Sequence, residues 1–425
     1  MKKYDSYKDS GVRWLGEIPS HWEMLPGLAV FQENKCKNSD LSVNNVLSLS
    51  YGKIIEKKDI NEGLVPAEYN TYQIVHPGYI IIRCTDLQND KVSLRTGLVK
   101  NDGIITNAYL GLVINKEYNY SYVHYFLHAW DITKEIYRHG SGLRQSLSWL
   151  DLRRLPILLP SPQEQEAIAN YLDSATSKID EAIAQQQKMI DLLNERKQII
   201  INSAVTKGLD PNVKMKPSGI DWIGDIPEGW EVTPIKFLAK IYSGATPSTN
   251  NETYWDGNIP WVTPADFKTE TKYIGKGDRF LTQLGVDSCS TYIVPKGSII
   301  FSKRAPVGQV SISTNELCTN QGCLSCVPHK KIQTEYLFYV LSKYQNELES
   351  FSAGTTFREI SLQTFKNFKV PIPTIVEQVS IISYLKKIII GIDQAKSKFE
   401  AQISLLQERK QIIINEVVTG KVKVG

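Results

Sequence analysis

The chain has 425 residues, 42% of them hydrophobic and 22% charged, which is the composition of a globular protein rather than of a disordered one. No stretch approaches the roughly 18 consecutive apolar residues of a membrane span, and no apolar segment follows the N-terminus, so the sequence predicts neither a membrane nor a secreted protein. Six irregularly spaced cysteines predict reduced thiols and a cytoplasmic location.

The net charge of +4 is distributed unevenly along the chain. Residues 163–207 and 376–420 together carry a charge of −1, so the rest of the chain carries +5. If the protein binds a polyanion, we expect the residues outside these two segments to bind it.

A short segment near the N-terminus returns in the middle of the chain. Residues 10–23, SGVRWLGEIPSHWE, match residues 218–231, SGIDWIGDIPEGWE, at an offset of 208 positions. Such a match indicates internal duplication. We therefore interpret the chain as two halves, each of which begins with one of these opening segments.

The first globular region extends from about Glu23 to Leu155. Its apolar runs at 79–82, 103–105 and 110–114 are broken by turn-forming residues, which predicts strands, and the apolar spacing over 122–137 predicts a helix. The region ends in a loop with glycines, hydroxyl side chains and Arg144. Such a loop allows close approach to a phosphate, but a structural turn explains it equally well.

Residues 163–207 are predicted to form one long helix. They contain neither Gly nor Pro, and Ser161 with Glu164 fits a capping box at the start. At 1.5 Å per residue the helix would be roughly 65 Å long. Its apolar residues follow the spacing of a coiled-coil seam, with Gln186 and Arg196 at two further seam positions. The apolar seam residues are Ile168, Leu172, Ala175, Ile179, Ala182, Met189, Leu193 and Ile200.

The second half repeats this plan. Between Glu231 and Phe368, strands are predicted at 298–301 and 307–312 and a helix at 334–351, followed by a second glycine-containing loop. Outside the repeated framework the two globular regions share almost no sequence. We interpret this contrast as a retained scaffold that carries two diverged domains.

Residues 376–420 form the second predicted helix. They match 163–207 at 21 of 45 positions, and 405–415 match 192–202 at ten of eleven. Gly391 interrupts this helix where the first has Lys178 and predicts a bend. Two such helices in one chain are expected to pack on each other; the alternative is two amphipathic helices in separate cores. The seam residues of the second helix are Ile381, Leu385, Ile388, Ile392, Ala395, Phe399, Leu406 and Ile413.

The chain resembles the specificity (DNA-recognition) subunit of type I restriction–modification systems over essentially its whole length. The resemblance rests on the two opening segments, on Glu164-Gln165 and Glu377-Gln378, and on the Glu-Arg-Lys-Gln motifs of both helices. Motifs within 243–262 and at 319–322 are typical of one class of target-recognition domain, although Cys323 departs from the usual large apolar residue.

The resemblance implies an α+β fold with two globular α/β target-recognition domains. They are separated by two long antiparallel helices in a coiled coil, with a pseudo-twofold internal repeat. The implied division is an opening segment at 1–22, the first target-recognition domain at 23–155, a central conserved region with the first long helix at 156–209, the repeated opening segment at 210–230, the second target-recognition domain at 231–369, and a C-terminal conserved region with the second long helix at 370–425.

The resemblance also implies a function and partners. Each domain would read one half of a split site in double-stranded DNA, and the helices would dock two methyltransferase (modification) subunits, which restriction (translocase–nuclease) subunits would join. No cofactor is expected on this chain, since S-adenosylmethionine and ATP with Mg²⁺ would bind the partner subunits. The alternative function is a non-catalytic coiled-coil adaptor that binds protein or glycan partners.

Candidate DNA contacts are the basic, amide and hydroxyl residues of the two globular regions, because these side chains bind phosphates and base edges. In the first region they are Lys53, Arg83, Lys91, Arg95, Asn107, Tyr109, Arg138, Arg144 and Gln145. In the second region they are Thr246, Ser248, Lys268, Lys303, Arg304, Asn320, Gln321, Thr356 and Arg358. We regard Lys303 and Arg304 as the strongest pair, and we expect Trp255 and Trp261 to anchor loops rather than to stack on bases.

The sequence contains no motif that would make the chain an enzyme. It has no Gly-x-x-x-x-Gly-Lys-Ser/Thr loop, no complete dinucleotide fingerprint and no motif typical of amino-methyltransferases. Cys318, Cys323, Cys326 and His329 could supply four metal ligands, but they lie in a stretch that otherwise predicts a strand, so we expect no metal.

Overall fold

The computed structural model of the chain describes residues 2–57, 69–90, 93–140, 145–268, 271–304, 306–352 and 358–424. Its contacts divide the chain into two compact units, residues 1–187 with 400–425 and residues 188–399. None of the helices in these described ranges is long and apolar enough to cross a membrane.

The elements of the first half of the chain, which ends in a long helix, are β1 (Tyr7–Asp9), β2 (Glu17–Pro19), β3 (Glu23–Pro26), α1 (Gly27–Val30), β4 (Phe31–Glu33), β5 (Leu47–Ser50), β6 (Lys53–Glu56), β7 (Gln73–Val75), β8 (Ile80–Ile82), β9 (Thr96–Leu98), β10 (Gly103–Ile105), β11 (Leu110–Ile114), α2 (Tyr120–Ile132), α3 (Trp149–Leu152), β12 (Pro156–Leu159) and α4 (Pro162–Lys207).

The elements of the second half are β13 (Met215–Pro217), β14 (Asp225–Pro227), β15 (Glu231–Pro234), β16 (Ala239–Ser243), β17 (Trp255–Val262), β18 (Tyr273–Ile274), β19 (Arg279–Leu281), α5 (Gln283–Asp287), β20 (Ile299–Ser302), β21 (Val310–Ser313), β22 (Cys318–Thr319), β23 (Cys323–Pro328), α6 (Thr334–Lys343), α7 (Gln345–Ser350), α8 (Leu362–Asn367), β24 (Lys369–Ile372) and α9 (Ile375–Val418).

The globular part of the first unit is built on an antiparallel four-stranded sheet in the order β4-β11-β8-β9, with α2 packed against β9. The strands predicted at 79–82, 103–105 and 110–114 are confirmed. The predicted helix is shorter than expected. It ends at Ile132, because the hydroxyl of Thr133 bonds back to Ala129 O at 2.7 Å and Lys134 takes a left-handed conformation (φ 65°).

The globular part of the second unit contains a five-stranded sheet in the order β16-β23-β20-β21-β18 and a three-stranded sheet in the order β19-β17-β22. The strand predicted at 298–301 is β20, and the one predicted at 307–312 begins later, at Val310. The predicted helix at 334–351 is divided into α6 and α7 at the buried Tyr344. Apolar side chains fill the space between these sheets and helices.

Both opening segments fold into the same hairpin. β1 pairs with β2 and β13 pairs with β14, each antiparallel. The tryptophan that follows is buried in both, and its indole N–H donates to the first-turn glutamate of a long helix: Trp22 to Glu164 of α4 at 3.4 Å, and Trp230 to Glu377 of α9 at 2.9 Å. The duplication therefore repeats a packing unit that positions the start of each long helix.

The two long helices pair antiparallel within each unit. In the first unit Asp180 of α4 bonds Lys410 of α9 at 2.6 Å, and in the second unit Lys197 of α4 bonds Asp393 of α9 at 2.9 Å. Within the second unit the end of α4 lies beside the start of α9, since a Cβ added to Gly208 would lie 3.1 Å from Glu377 Oε1, so the two helices run in opposite directions. Asp393 and Lys410 are also the repeat counterparts of Asp180 and Lys197, so the two ion pairs are equivalent.

The seam of α9 is confirmed, but two positions predicted for α4 are wrong. Met189 is 44% exposed, Arg196 is exposed as well, and the neighbouring Ile190 and Lys197 turn inwards instead. The strict seven-residue spacing of the prediction drifts from the 3.6-residue turn of a real helix over this length. Helix α9 also continues without interruption through the exposed Gly391.

Candidate nucleic-acid interface

In the second unit four loops meet and form what we call the polar loop cluster, residues 244–248, 303–304, 320–322 and 358–360. Ala245 N donates to Thr319 O at 3.0 Å, and the Thr246 hydroxyl donates to the Gln321 side chain. Lys303 then connects two further loops, since its N–H donates to Gly322 O at 2.9 Å and its carbonyl accepts from Ile360 N at 3.0 Å. Seven of the predicted residues lie in this cluster: Thr246, Ser248, Lys303, Arg304, Asn320, Gln321 and Arg358.

Glycine is required at one point of the cluster. A Cβ at Gly244 would clash with the carbonyl oxygens of Thr319 and Asn320. The loop therefore lies against its neighbour more closely than any other residue would permit. This close approach holds Thr246 beside Gln321 and exposes both side chains.

Two tryptophans support the 244–248 loop from beneath. Trp261 Nε1 donates to Ala245 O at 3.0 Å and Trp255 Nε1 donates to Ser248 O at 3.1 Å. Each is 6% exposed, and their rings meet edge to face with centroids 5.2 Å apart. Trp255 and Trp261 are therefore loop anchors, as the sequence predicted.

Lys303, which with Arg304 was the strongest predicted DNA contact, is not a free cation. Its Nζ lies 2.7 Å from Glu359 Oε1, and only 13% of its side chain is exposed. The carboxylate neutralises the ammonium, so this pair holds two loops together. Arg358 contrasts with it: its side chain is 65% exposed, and its nearest carboxylate atom, on Glu349, lies 3.7 Å away. Lys268 is exposed, and Thr356 lies outside the described residues.

In the first unit one predicted DNA contact is a buried structural residue. Arg95 is fully buried, and its guanidinium donates to four main-chain carbonyls, those of Arg83, Thr85, Asp86 and Asp90, and to the Tyr137 hydroxyl. It therefore has no donor left for a base or a phosphate. The structure contradicts the expectation that Arg95 contacts DNA, because the 83–90 loop consumes its hydrogen-bonding capacity.

Gln145 has a similar internal role, since its amide donates to the carbonyls of Tyr137 and His139 at 2.9 and 2.7 Å. Arg83 is paired with Asp90 at 3.2 Å, and the exposed Arg138 is paired with Glu135 at 3.2 Å. These three residues surround the loop that Arg95 holds.

The remaining predicted residues of the first region lie elsewhere. Asn107 and Tyr109 are on the β10–β11 turn, which the Gln73 side chain holds by bonds to Thr106 O and Tyr109 O. Lys53 on β6 pairs with Asp180 of α4 at 3.2 Å. Lys91 and Arg144 lie outside the described residues. Of the described residues predicted in the first region, Arg83, Arg95, Arg138 and Gln145 thus lie around the 83–90 loop, and Lys53, Asn107 and Tyr109 lie apart from it.

Three titratable groups of the first unit have pKa values that burial shifts towards the uncharged form. Burial, with nearby positive charge, lowers the pKa of His124 to about 3 and that of His128 to about 4. Burial raises the pKa of Asp131 to about 6, although the carboxylate accepts from Arg95 N. Both imidazoles are therefore neutral at pH 7.

The metal site considered from the sequence does not form. Cys323 and Cys326 are three positions apart on β23 and belong to different apolar clusters, and burial raises the pKa of both thiols. Side chains an odd number of positions apart on a strand point to opposite faces, so the two sulfurs cannot share an ion. No group of metal-ligating residues occurs in the part of the chain that the structure describes.

Sequence reasoning missed an arginine and an aromatic pair. Arg279 is exposed and lies over the ring of Trp255. Tyr242 and Tyr292 stack with centroids 4.0 Å apart, and Lys240 lies over Tyr242. No local signal marks these residues, because Arg279 is 24 positions from its partner and the two tyrosines are 50 positions apart.

Residues 227–404 match the family model of the type I restriction modification DNA specificity domain. The chain is 42% identical over 166 residues to the type I restriction enzyme MjaIX specificity subunit of Methanocaldococcus jannaschii, covering 38% of each chain. It is 25% identical over 283 residues to the EcoR124I/EcoR124II specificity subunit of Escherichia coli, covering 63% of this chain and 62% of that one. The chain thus spans less than two thirds of the length of these curated relatives.

Solved structures extend the likeness of fold to nearly the whole chain. A chain from work on complex assembly and conformational transition of the type I R-M system superimposes with a TM-score of 0.71 at 17% identity, covering 95% of this chain and 99% of that one. The HsdS subunit from Thermoanaerobacter tengcongensis gives a TM-score of 0.53 at 17% identity, covering 95% and 98%. Residues 227–404 therefore match the type I restriction modification DNA specificity domain, and the chain has the fold of the HsdS subunit that it resembles, as its duplicated motifs indicated.

Proposed function

We propose that this chain is the sequence-specific DNA-recognition subunit of a type I restriction–modification complex, and that it performs no catalysis itself. The observation that carries the proposal is the match of residues 227–404 to the DNA specificity domain, together with a duplicated frame that holds two dissimilar globular regions. A frame that is kept while its two domains diverge suits a protein whose two halves bind different sequences.

The polar loop cluster supports this function chemically. Thr246, Ser248 and Gln321 are exposed hydroxyl and amide side chains, the types that bond base edges in the major groove, and Arg358 adds an exposed cation. Phosphate contacts would give affinity and register, and base contacts would give selectivity. We propose that the second unit reads one half of a bipartite site in double-stranded DNA and that the first unit reads the other half.

The long helices carry a surface that is both exposed and repeated, which we call the repeated patch. Its members Leu192, Glu195, Arg196, Gln198 and Ile199 on α4 are identical to Leu405, Glu408, Arg409, Gln411 and Ile412 on α9, and all ten are exposed. Core packing explains identity at buried positions but not at exposed ones. Two identical exposed surfaces suit two copies of one partner, and we propose that each docks one methyltransferase subunit.

The remaining parts of the complex follow from this assignment. The methyltransferase subunits would bind S-adenosylmethionine, and restriction subunits that use ATP and Mg²⁺ would join the assembly through them. The chain would act in the cytoplasm, where its DNA is found.

A binding experiment tests the function. The full chain, in complex with the methyltransferase subunit of its own system, is mixed with random duplexes, and the bound DNA is sequenced. We expect a two-part motif with a fixed spacing, and an affinity that falls linearly in log K against log salt. A complex that binds no duplex at any salt concentration would overturn the proposal in favour of an adaptor for other partners.

A further inference from the structure

Arg279 presents a guanidinium in an unusual setting. Its Cζ lies 3.4 Å from the centroid of the Trp255 ring, which is the separation of a flat stack, while the residue itself remains exposed. None of the ion pairs formed among the described residues includes it. The cation therefore rests on an aromatic face without a carboxylate to neutralise it.

The backbone beneath this stack is shaped to place Trp255. β17 bulges between Trp255 and Ile259, because both residues pair with Leu281 of β19. Asp256 adopts a left-handed conformation (φ 58°) inside the bulge, and a Cβ on Gly257 would clash with the Leu281 carbonyl. Residues held at positive φ concentrate at ligand sites and active sites. Arg279, whose register partner on β17 is Trp261, has its guanidinium over the ring of Trp255 beside this bulge.

Trp255 also connects Arg279 to the polar loop cluster. The indole N–H of Trp255 donates to Ser248 O at 3.1 Å, its neighbour Trp261 meets it edge to face and donates to Ala245 O, and its ring carries the guanidinium of Arg279. Arg279 therefore stands one indole away from the loop that exposes Thr246 and Ser248. Trp255 thus contacts both the exposed loop and the exposed arginine.

We propose that Arg279 is a specificity-determining residue that reads the O6 and N7 acceptors of a guanine in the half-site bound by the second unit. The inference rests on the proposed function. A stacked guanidinium keeps its N–H donors in a fixed plane, which matches the paired acceptors of guanine. A phosphate is bound by any mobile cation, so the strained bulge and the stacked ring would add nothing there.

The test uses the full chain with its methyltransferase subunit, random duplexes and sequencing of the bound DNA. The variants are Arg279→Ala and Arg279→Lys; the lysine keeps a cation over Trp255 but has no planar fork. Lys296→Ala is the matched control, because Lys296 is exposed at the opposite end of β20 from Lys303. Thermal unfolding of each variant verifies that it is folded.

We expect both Arg279 variants to lose selection of one G·C pair in one half-site. Their affinity for the wild-type site should fall about 10- to 100-fold, and the other half-site and the Lys296→Ala motif should be unchanged. The inference is overturned if Arg279→Lys keeps the full motif, since the planar guanidinium would then read no base. It is also overturned if both variants weaken binding equally on all sequences, since the contact would then be to a phosphate. A wild-type complex that selects no motif would instead overturn the proposed function itself.

Discussion

The two globular regions use their arginines in opposite ways. In the first, Arg95 is fully buried and its donors are saturated by main-chain carbonyls. In the second, Arg279 and Arg358 are exposed, and the former rests on a tryptophan with no carboxylate partner among the described ion pairs. A basic residue is thus evidence for a ligand only once its own hydrogen-bond partners are known.

The first prediction tests this contrast by replacing one arginine of each kind. Arg95→Leu should destabilise the first unit by about 3–5 kcal/mol, because the carbonyls it satisfies are left buried without a donor. Arg358→Leu should change stability by less than about 0.5 kcal/mol and should weaken duplex binding instead. Urea unfolding and duplex affinity distinguish the two. Equal stability of both variants would show that the two arginines are not used differently.

The second prediction concerns pH, since the two units differ in their histidines. His124 and His128 are half-buried in the first unit, with pKa values lowered to about 3 and about 4, whereas His329, the histidine of the second unit, is exposed. Below pH 6.5 these two imidazoles bind protons in the unfolded chain but stay neutral in the folded unit. The free energy of unfolding therefore falls as the pH falls. Asp131, with its pKa raised to about 6, has the opposite effect and offsets part of the loss.

We expect the free energy of unfolding of the first unit to be about 3 kcal/mol lower at pH 5 than at pH 7. His124→Phe should remove about 2 kcal/mol of this difference, because phenylalanine binds no proton in the unfolded chain. The substitution also removes His124 Nε2, which is buried without a partner. His329→Phe is the control and should leave the difference unchanged. Urea unfolding at both pH values measures it, and a His124→Phe protein with the wild-type pH dependence would contradict the assignment.

The third prediction compares the two copies of the repeated patch. Ile199→Asp or Ile412→Asp should each cost about 2 kcal/mol of methyltransferase binding at one site, so that one subunit binds in place of two. The double variant should bind neither. Met189→Asp is the control, since Met189 is exposed but has a different residue, Gln402, as its counterpart. Sedimentation or native mass spectrometry gives the stoichiometry, and two bound subunits in the double variant would refute the docking surface.

The fourth prediction, with the smallest effect, compares the stability changes caused by substituting Gly391 within α9 and Gly420 just after its end. Gly391 is exposed and helical with no atom within 4 Å of an added Cβ, so Gly391→Ala should stabilise the protein by about 1 kcal/mol. Gly420 has φ 74°, and an added Cβ would clash with Pro19, so Gly420→Ala should destabilise it. Denaturant midpoints measure both. Loss of stability in Gly391→Ala would contradict the open space around this position.

The repeated frame was predictable from sequence because its signals are local. The capping box of Ser161 and Glu164, the helix bounds and the strands at 103–105 and 110–114 depend on neighbouring residues alone. The seam errors at Met189 and Arg196 arose where a fixed spacing was extended over a long helix.

The binding surface was less predictable because its contacts join distant positions. The role of Arg95 depends on the path of the 83–90 loop, and the aromatic ring under Arg279 belongs to another strand. The residue types at these positions were visible in the sequence, but their partners were not.

The equivalent ion pairs of the long helices have one further consequence. α4 carries both Asp180 and, 17 residues later, Lys197. Two antiparallel copies of α4 could therefore form the same two ion pairs that α4 forms with α9. A shortened gene that encoded residues 1–212 alone would thus retain the information for a symmetric dimer. Under the proposed function, such a dimer would recognise a palindromic site in place of an asymmetric one, so a truncation alone would change the sequence preference.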